Sequence, residues 1–264
     1  MPQDHALYSA NFYAGQREGS FVAALALLPT VLDLVRPSSV VDIGCGTGAW
    51  LAACRQLGVG RTVGLEGDWV RQADLRDQAI TLVTTDLERP ITVSERFDLA
   101  MSLEVAEHVS PGRADALVEE IARLAPVVLF GAAIPGQGGG FNHINEQWQS
   151  YWVSHFARRG FQAIDLLRPR FWNAHEVPVH YRQNTMLYVH TSVADRYRAA
   201  AAAAASGFPI DVVHPEVHVA TTTALNAPPT ISQSLRAISG LPGAVARSLS
   251  VRLARATSSP TGTA

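Results

Sequence analysis

Val40-Val41-Asp42-Ile43-Gly44-Cys45-Gly46-Thr47-Gly48-Ala49-Trp50 is the stretch on which the reading of this chain turns. Val40 to Ile43 reads as a short apolar strand carrying one acid, and Gly44 to Gly48 as the turn that leaves it. Ala49 to Leu57 continues as a helix, which Gly58 stops. Glycines at alternate positions let the backbone turn tightly and approach a ligand closely, at a helix N-terminus whose free N–H groups face outward. The spacing is not the G-x-G-x-x-G of the dinucleotide fingerprint, because Gly48 comes one residue too early.

Working outward, a second strand spans Arg61 to Leu65 and ends in Glu66-Gly67-Asp68, with a helix expected through about Leu75. A third, Ala79 to Val83, runs into Thr84-Thr85-Asp86-Leu87. Arg96 to Ser102 is a fourth strand, Arg113 to Arg123 a helix and Val127 to Phe130 a fifth strand. This alternation predicts an α/β, doubly wound, mostly parallel sheet, with ligands beyond the strand C-terminal ends. Residues 8 to 36 read as helical, kinked or split at Pro29. Gly131 to Gly140 reads as a mobile loop over the ligand edge, and Glu146 to Arg158 as a helix. Phe161 to Leu167 and Thr185 to Val189 are the last strands, expected as an antiparallel pair, with residues 168 to 184 inserted between them near the site. The expected division is an N-terminal helical cap (1–37), a catalytic domain (38–192), and an Ala-rich segment with a basic, flexible tail (193–264).

Composition narrows the chemistry. The chain has 264 residues, 47% hydrophobic and 17% charged, so it can bury a full core. Its formal charge is −2, which argues against broad phosphate-backbone binding, and no nucleic-acid partner is expected. All 21 cationic side chains are Arg, which excludes Schiff-base and Walker-type lysine mechanisms. Cys45 and Cys54 make neither a disulfide framework nor a Cys-rich zinc site. The N-terminus lacks the regions of a signal peptide, and Phe21 to Val35 reads as too short to span a bilayer; a cytoplasmic protein is expected.

Asp42, Glu66 and Asp86 stand in register at three successive strand ends, where carboxylates can accept hydrogen bonds from a ribose diol or an adenine amino group. VVDIGCGTGAW (40–50), GLEGD (64–68), TTDL (84–87) and FDLAMSLEVAEHV (97–109) together resemble a class I S-adenosylmethionine-dependent methyltransferase over roughly residues 38 to 190. The resemblance implies a seven-stranded Rossmann-like sheet. It implies that Gly44, Gly46 and Gly48 line the methionine and ribose part of S-adenosylmethionine, with Asp42 at the amino group. Glu66 would take the ribose hydroxyls, Asp86 and Leu87 the adenine, and Ser102 a further cofactor contact.

Ser102-Leu103-Glu104-Val105-Ala106-Glu107-His108 bears on the chemistry. If a helical turn begins at the strand end, Glu107 and His108 lie at i+3 and i+4 from Glu104 and all three face one point. Two carboxylates and an imidazole there suit a hard divalent cation, Mg²⁺ or Mn²⁺; the alternative is that Glu104 borders the cofactor while His108 packs or acts as a simple base. His143, after the glycine-rich loop, is a fourth candidate ligand. The E-x-x-E-H pattern with a distal His resembles the magnesium site of small-RNA 2′-O-methyltransferases; the E-x-x-E-H part also resembles ubiquinone-pathway O-methyltransferases. Glu104, His108 and His143 are the expected catalytic residues, either imidazole being able to act alone as base.

Ala132 to Gly140, followed by His143-Ile144-Asn145-Glu146 and Tyr151-Trp152, resemble bacterial methyltransferases associated with glycan assembly. An O-methyltransferase acting on a saccharide or small hydroxylated metabolite is expected, the alternatives being a metal-independent N- or C-methyltransferase or a non-catalytic cofactor-binding partner of a glycan-assembly enzyme. Trp148, Tyr151, Trp152, Phe171, Trp172, His175 and Tyr181 are candidates for an aromatic wall, although helical spacing fits Trp148 and Trp152 equally to the core. Arg158, Arg159, Arg168, Arg170 and Arg182 are either a local basic patch or, the preferred reading for most of them, solvated surface. The tail beyond about Asn226 carries four Arg and no acid, and could touch a membrane surface or partner weakly.

Overall fold

Successive side chains of a strand point to opposite faces, and here both faces are covered. Val40 packs into one apolar layer while Val41 and Ile43 enter the other; Val127 and Leu129 divide from Val128 and Phe130 in the same way. The first layer is closed by helices α1 (Ala10–Val35) and α2 (Ala49–Gln56), the second by α3 (Ala114–Leu124) and α4 (Gln149–Ala157). The computed structural model describes residues 10–138, 140, 142–204 and 208–226, with the backbone alone for 10–17 and 224–226.

Between these layers lies a seven-stranded sheet: β1 (Ser39–Ile43), β2 (Arg61–Glu66), β3 (Thr81–Thr84), β4 (Leu99–Leu103), β5 (Val127–Gly131), β6 (Phe161–Ile164) and β7 (Met186–His190). Their order is β3-β2-β1-β4-β5-β7-β6. The first five run parallel, and β7 is antiparallel to both its neighbours, β5 and β6. The order reverses direction beside β1, so the edge beyond β1 and β4 is the expected ligand crevice.

Three local expectations are corrected. Helix α1 runs unbroken through Pro29, which sits on its exposed side, where a carbonyl left without its helical donor can bond water. Its segment Glu18–Val35 is long and apolar enough to cross a membrane by length and composition, contrary to the shorter reading. Ala23, Ala24, Leu27 and Leu28 are nevertheless fully buried in the core beside α2. After β2 only a single 3-10 turn forms, Gln72–Asp74. The Gln72 side chain explains it: its amide donates to the Ile80 carbonyl at 2.7 Å and accepts from the Leu82 N–H at 3.2 Å, fastening the loop to edge strand β3.

Short helices α5 (Leu167–Phe171) and α6 (Val179–Asn184) fill the expected insertion, and α7 (Arg198–Ala204) the alanine run. Contacts divide the chain into compact units of residues 1–221 and 222–264. Helix α8 (Pro215–Asn226) begins in the first. The expected basic tail from about Asn226 falls on residues 227–264, outside those described.

Candidate active site

The loop from β1 to α2 is shaped by backbone that side chains rarely adopt. Gly44 has φ 78°, and a Cβ there would come within 2.5 Å of the Val105 side chain. The carboxylate closing β2 braces this loop: Glu66 accepts from the Gly46 N–H at 2.6 Å and from the Gly67 N–H at 2.9 Å. Burial raises the Glu66 carboxyl despite those two donors. Asp42 is 3% exposed, and burial, then the neighbouring charge of Glu66, pushes it up to about 8.

A two-part cleft opens over the loop. Asp42, Trp50, Glu104 and Tyr181 line one half; Glu66, Trp69, Asp86, Leu87 and His108 line the other. Gly44, Gly46 and Glu104 belong to both. Asp86 sits beyond the end of β3, exposed and paired with Arg89 at 3.3 Å. Ser102 does not line either half: it is fully buried within β4, its hydroxyl without a partner, because the strand continues to Leu103.

Past β4 the expected helical turn starts late. Glu104 has φ 57°, and the 3-10 turn covers Ala106–His108 only. Glu104 is therefore not on a common helical face with Glu107 and His108. Its Oε2 accepts from Gln137 Nε2 at 2.9 Å, and its Oε1 from Asn184 Nδ2 at 2.8 Å. The cluster that does form is Glu107, His108 and His143, one ligand atom from each lying within 4.8 Å of the others. Glu104, expected as a ligand, is outside this group.

His143 arrives because the Ile144 and Asn145 N–H groups donate to the Glu107 carbonyl, at 2.9 and 3.0 Å. Its Nδ1 lies 2.8 Å from Glu146 Oε1, and its ring meets that of His108 edge-on at 4.8 Å. Gly140 leaves room for it, since a Cβ there would collide with the His143 ring. Glu107 is 1% exposed, and neither carboxylate oxygen has a hydrogen-bond partner; the N–H groups of Glu107 and Ala133 approach outside bonding geometry. Burial, then the charge of Glu104, raises its carboxyl well above the usual range.

The glycine loop at the end of β1 is thus braced by an acid, and further acids lie along the same sheet edge. A family model described as a methyltransferase domain matches residues 13–165. The chain belongs to this methyltransferase family. Its fold is shared by DesVI of Streptomyces venezuelae, 17% identical with a TM-score of 0.55 over 72% of this chain and 100% of that one. It is also similar to CalS10 of Micromonospora echinaspora, an amino pentose methyltransferase with S-adenosylmethionine bound (16%, TM-score 0.51, covering 70% and 98%). A third is KedS8, a sugar N-methyltransferase of Streptoalloteichus (15%, TM-score 0.53, covering 68% and 91%). No curated protein matches the chain significantly. The protein is an S-adenosylmethionine-dependent methyltransferase.

Two candidate surfaces of the methyltransferase are not assembled. The aromatic wall is dispersed: Trp152 is core, against Phe130; Tyr181 meets Trp50; Trp172 meets Phe208 and His214; Trp148 is 41% exposed. Four of the five arginines are committed elsewhere, Arg158 and Arg159 on Asp115, Arg168 on Asp165 and Arg182 on Glu216, while Arg170 is exposed over the Phe171 ring. Sequence reasoning gave no role to Gln137, Asn184, Trp50 or Trp69. Neither amide carries a local motif, because their partner Glu104 is 33 and 80 residues away.

Proposed function

We propose that this methyltransferase transfers methyl to a hydroxyl of a saccharide or related small metabolite, assisted by a divalent cation held by Glu107, His108 and His143. The observation that carries the reading is the Glu107 carboxylate, buried beside two imidazoles with both oxygens unpartnered. Such a group either keeps a proton or meets a cation, because an isolated buried charge is too costly. One carboxylate and two imidazoles suit a hard or borderline divalent ion, with positions left open for an acceptor. Glu146 on His143 Nδ1 is the outer partner that fixes a ligating imidazole. When bound, Mg²⁺ or Mn²⁺ would lower the pKa of an acceptor hydroxyl and orient it. The chain does the rest: the glycine loop holds the cofactor, and His108, which lines the cleft, would act on the acceptor hydroxyl.

The sugar-modifying activities named for CalS10 and KedS8 support a saccharide acceptor. One arrangement favours a second reading. The His143–Glu146 pair is also that of a general base oriented by a carboxylate, which would serve an acceptor amine or hydroxyl without metal. Calorimetric titration of Mn²⁺ into wild type and Glu107→Gln, with S-adenosylhomocysteine release on saccharide acceptors before and after EDTA, decides between them. Mn²⁺ binding lost in Glu107→Gln, with turnover lost to EDTA and restored by Mg²⁺ or Mn²⁺, is expected. Turnover unaffected by chelator assigns the chemistry to the base pair.

A further inference from the structure

A methionine zwitterion brings an ammonium and a carboxylate into the first half of the cleft, which offers two acids, Asp42 and Glu104. Those acids suit the ammonium and repel the carboxylate. Among the described residues that line this half, none is cationic. The glycine loop is largely committed as a donor: the Gly44 and Cys45 N–H groups go to the Leu65 carbonyl, Gly46 to Glu66, and Gly48 to the Cys45 carbonyl. Side-chain donors are available in the same half.

Three neutral ones meet here from separate elements. Ser20 of α1 and Tyr181 of α6 approach to 3.0 Å, hydroxyl to hydroxyl. Trp50 of α2 packs edge-on against Tyr181, ring centroids 5.1 Å apart, and its buried Nε1–H is directed at the Tyr181 hydroxyl without completing a well-formed hydrogen bond. An indole N–H can only donate, so an acceptor entering beside the phenol would complete its bonding. Both acids lie close enough to Tyr181 to act on its hydroxyl, which places the three donors at the ammonium end of the cleft. We propose that Trp50, Tyr181 and Ser20 take the α-carboxylate of the cofactor's methionine moiety through neutral hydrogen bonds, tying α1, α2 and α6 together around it. The proposal rests on the S-adenosylmethionine dependence of the family, and is independent of the metal and of the acceptor.

5′-Methylthioadenosine carries the adenosine and sulfur but no amino-acid carboxylate, so it separates this contact from the rest. Calorimetry compares it with S-adenosylhomocysteine on wild type, Trp50→Phe, Tyr181→Phe and Ser20→Ala, in the presence of EDTA. S-Adenosylhomocysteine affinity is expected to fall roughly tenfold in Trp50→Phe and Tyr181→Phe, and about threefold in Ser20→Ala. Methylthioadenosine affinity should stay within about twofold throughout. Equal losses for both ligands would mean that the three residues only shape the cleft, and unchanged S-adenosylhomocysteine affinity would remove the subsite; either overturns the proposal. Ser20→Ala, the smallest of these changes and one at a half-buried position, keeps the comparison decisive should an aromatic variant fail to fold.

Discussion

Asn184 at the end of α6 donates its side-chain amide to Glu104 at the end of β4 across 2.8 Å, joining positions 80 residues apart. Asn184 also donates to Gln137 Oε1 at 2.8 Å, and Gln137 in turn donates to Glu104, so the glycine-rich loop is held to the same carboxylate. Glu104 needs this support. Its left-handed φ is costly for a residue with a side chain, and such conformations persist where surrounding contacts over-determine them. Asn184→Ala is therefore expected to destabilise the fold by about 1.5–3 kcal/mol, the worth of a hydrogen bond to a charged group. Urea unfolding with an unchanged midpoint would show that Glu104 is held by other means.

Glu66 and Asp86 are equal partners of the cofactor in the sequence, but they differ in the fold. Glu66 is buried and also braces Gly46, whereas Asp86 is exposed and shared with Arg89. Glu66→Ala is expected to weaken S-adenosylhomocysteine binding about a hundredfold, and Asp86→Ala by tenfold or less. Calorimetry giving equal losses would restore the symmetrical assignment.

Asp42 adds a pH dependence. Its carboxyl rises from 3.8 to about 8, so its neutral form is favoured in the folded cleft. The corresponding stability is full below about pH 4 and is lost as pH rises through 8. A cofactor ammonium beside Asp42 favours the charged form instead. Near pH 7, binding should thus release up to about one proton, seen as different calorimetric enthalpies in Tris and phosphate. Asp42→Asn should remove most of that difference.

The chemical step has a separate test. His108→Ala and His143→Ala are expected to lower turnover at least about a hundredfold while S-adenosylhomocysteine affinity stays within about threefold. Gly140→Ala pushes on the His143 ring from the glycine loop without touching the cofactor cleft, and should cost turnover roughly tenfold. Normal turnover in all three variants would make the cluster structural.

The strands were legible where burial alone specifies them. β1, β2 and β5 lie within a residue of their expected ends, because apolar runs covered on both faces need no distant partner. β4 starts later than Arg96, since the Asp98 carboxylate turns back to the N–H groups and hydroxyls of Ser38 and Ser39. Asp42, Glu66 and Glu104 line the cleft, and His143 lies beside His108. The shared helical face of Glu104 with Glu107 and His108 does not form, because the backbone at Glu104 is left-handed and its amide partners come from distant positions. At β4 and at Glu104 a tertiary hydrogen bond outranks local pattern.

The chain after α7 offers a last contrast. Arg168 is fully buried; beyond Asp165 it donates to the carbonyls of Pro209 and Ile210, at 2.9 and 2.7 Å. Arg182 reaches Glu216, Asp211 accepts from the Ser150 N–H at the start of α4, and Thr221 donates to the Gly136 carbonyl. Truncation after Ala204 removes all of these and leaves the buried Arg168 guanidinium with Asp165 but without its two carbonyl acceptors, so a loss of at least about 3 kcal/mol is expected. Truncation after Asn226 leaves every one in place. That shorter protein is expected to melt within about 2 °C of the full chain, with or without S-adenosylhomocysteine, a difference of at most about 1 kcal/mol. A large drop after truncation at Asn226 would show that residues 227–264 contribute to the stability of the catalytic domain, and would end the reading of them as a dispensable tail.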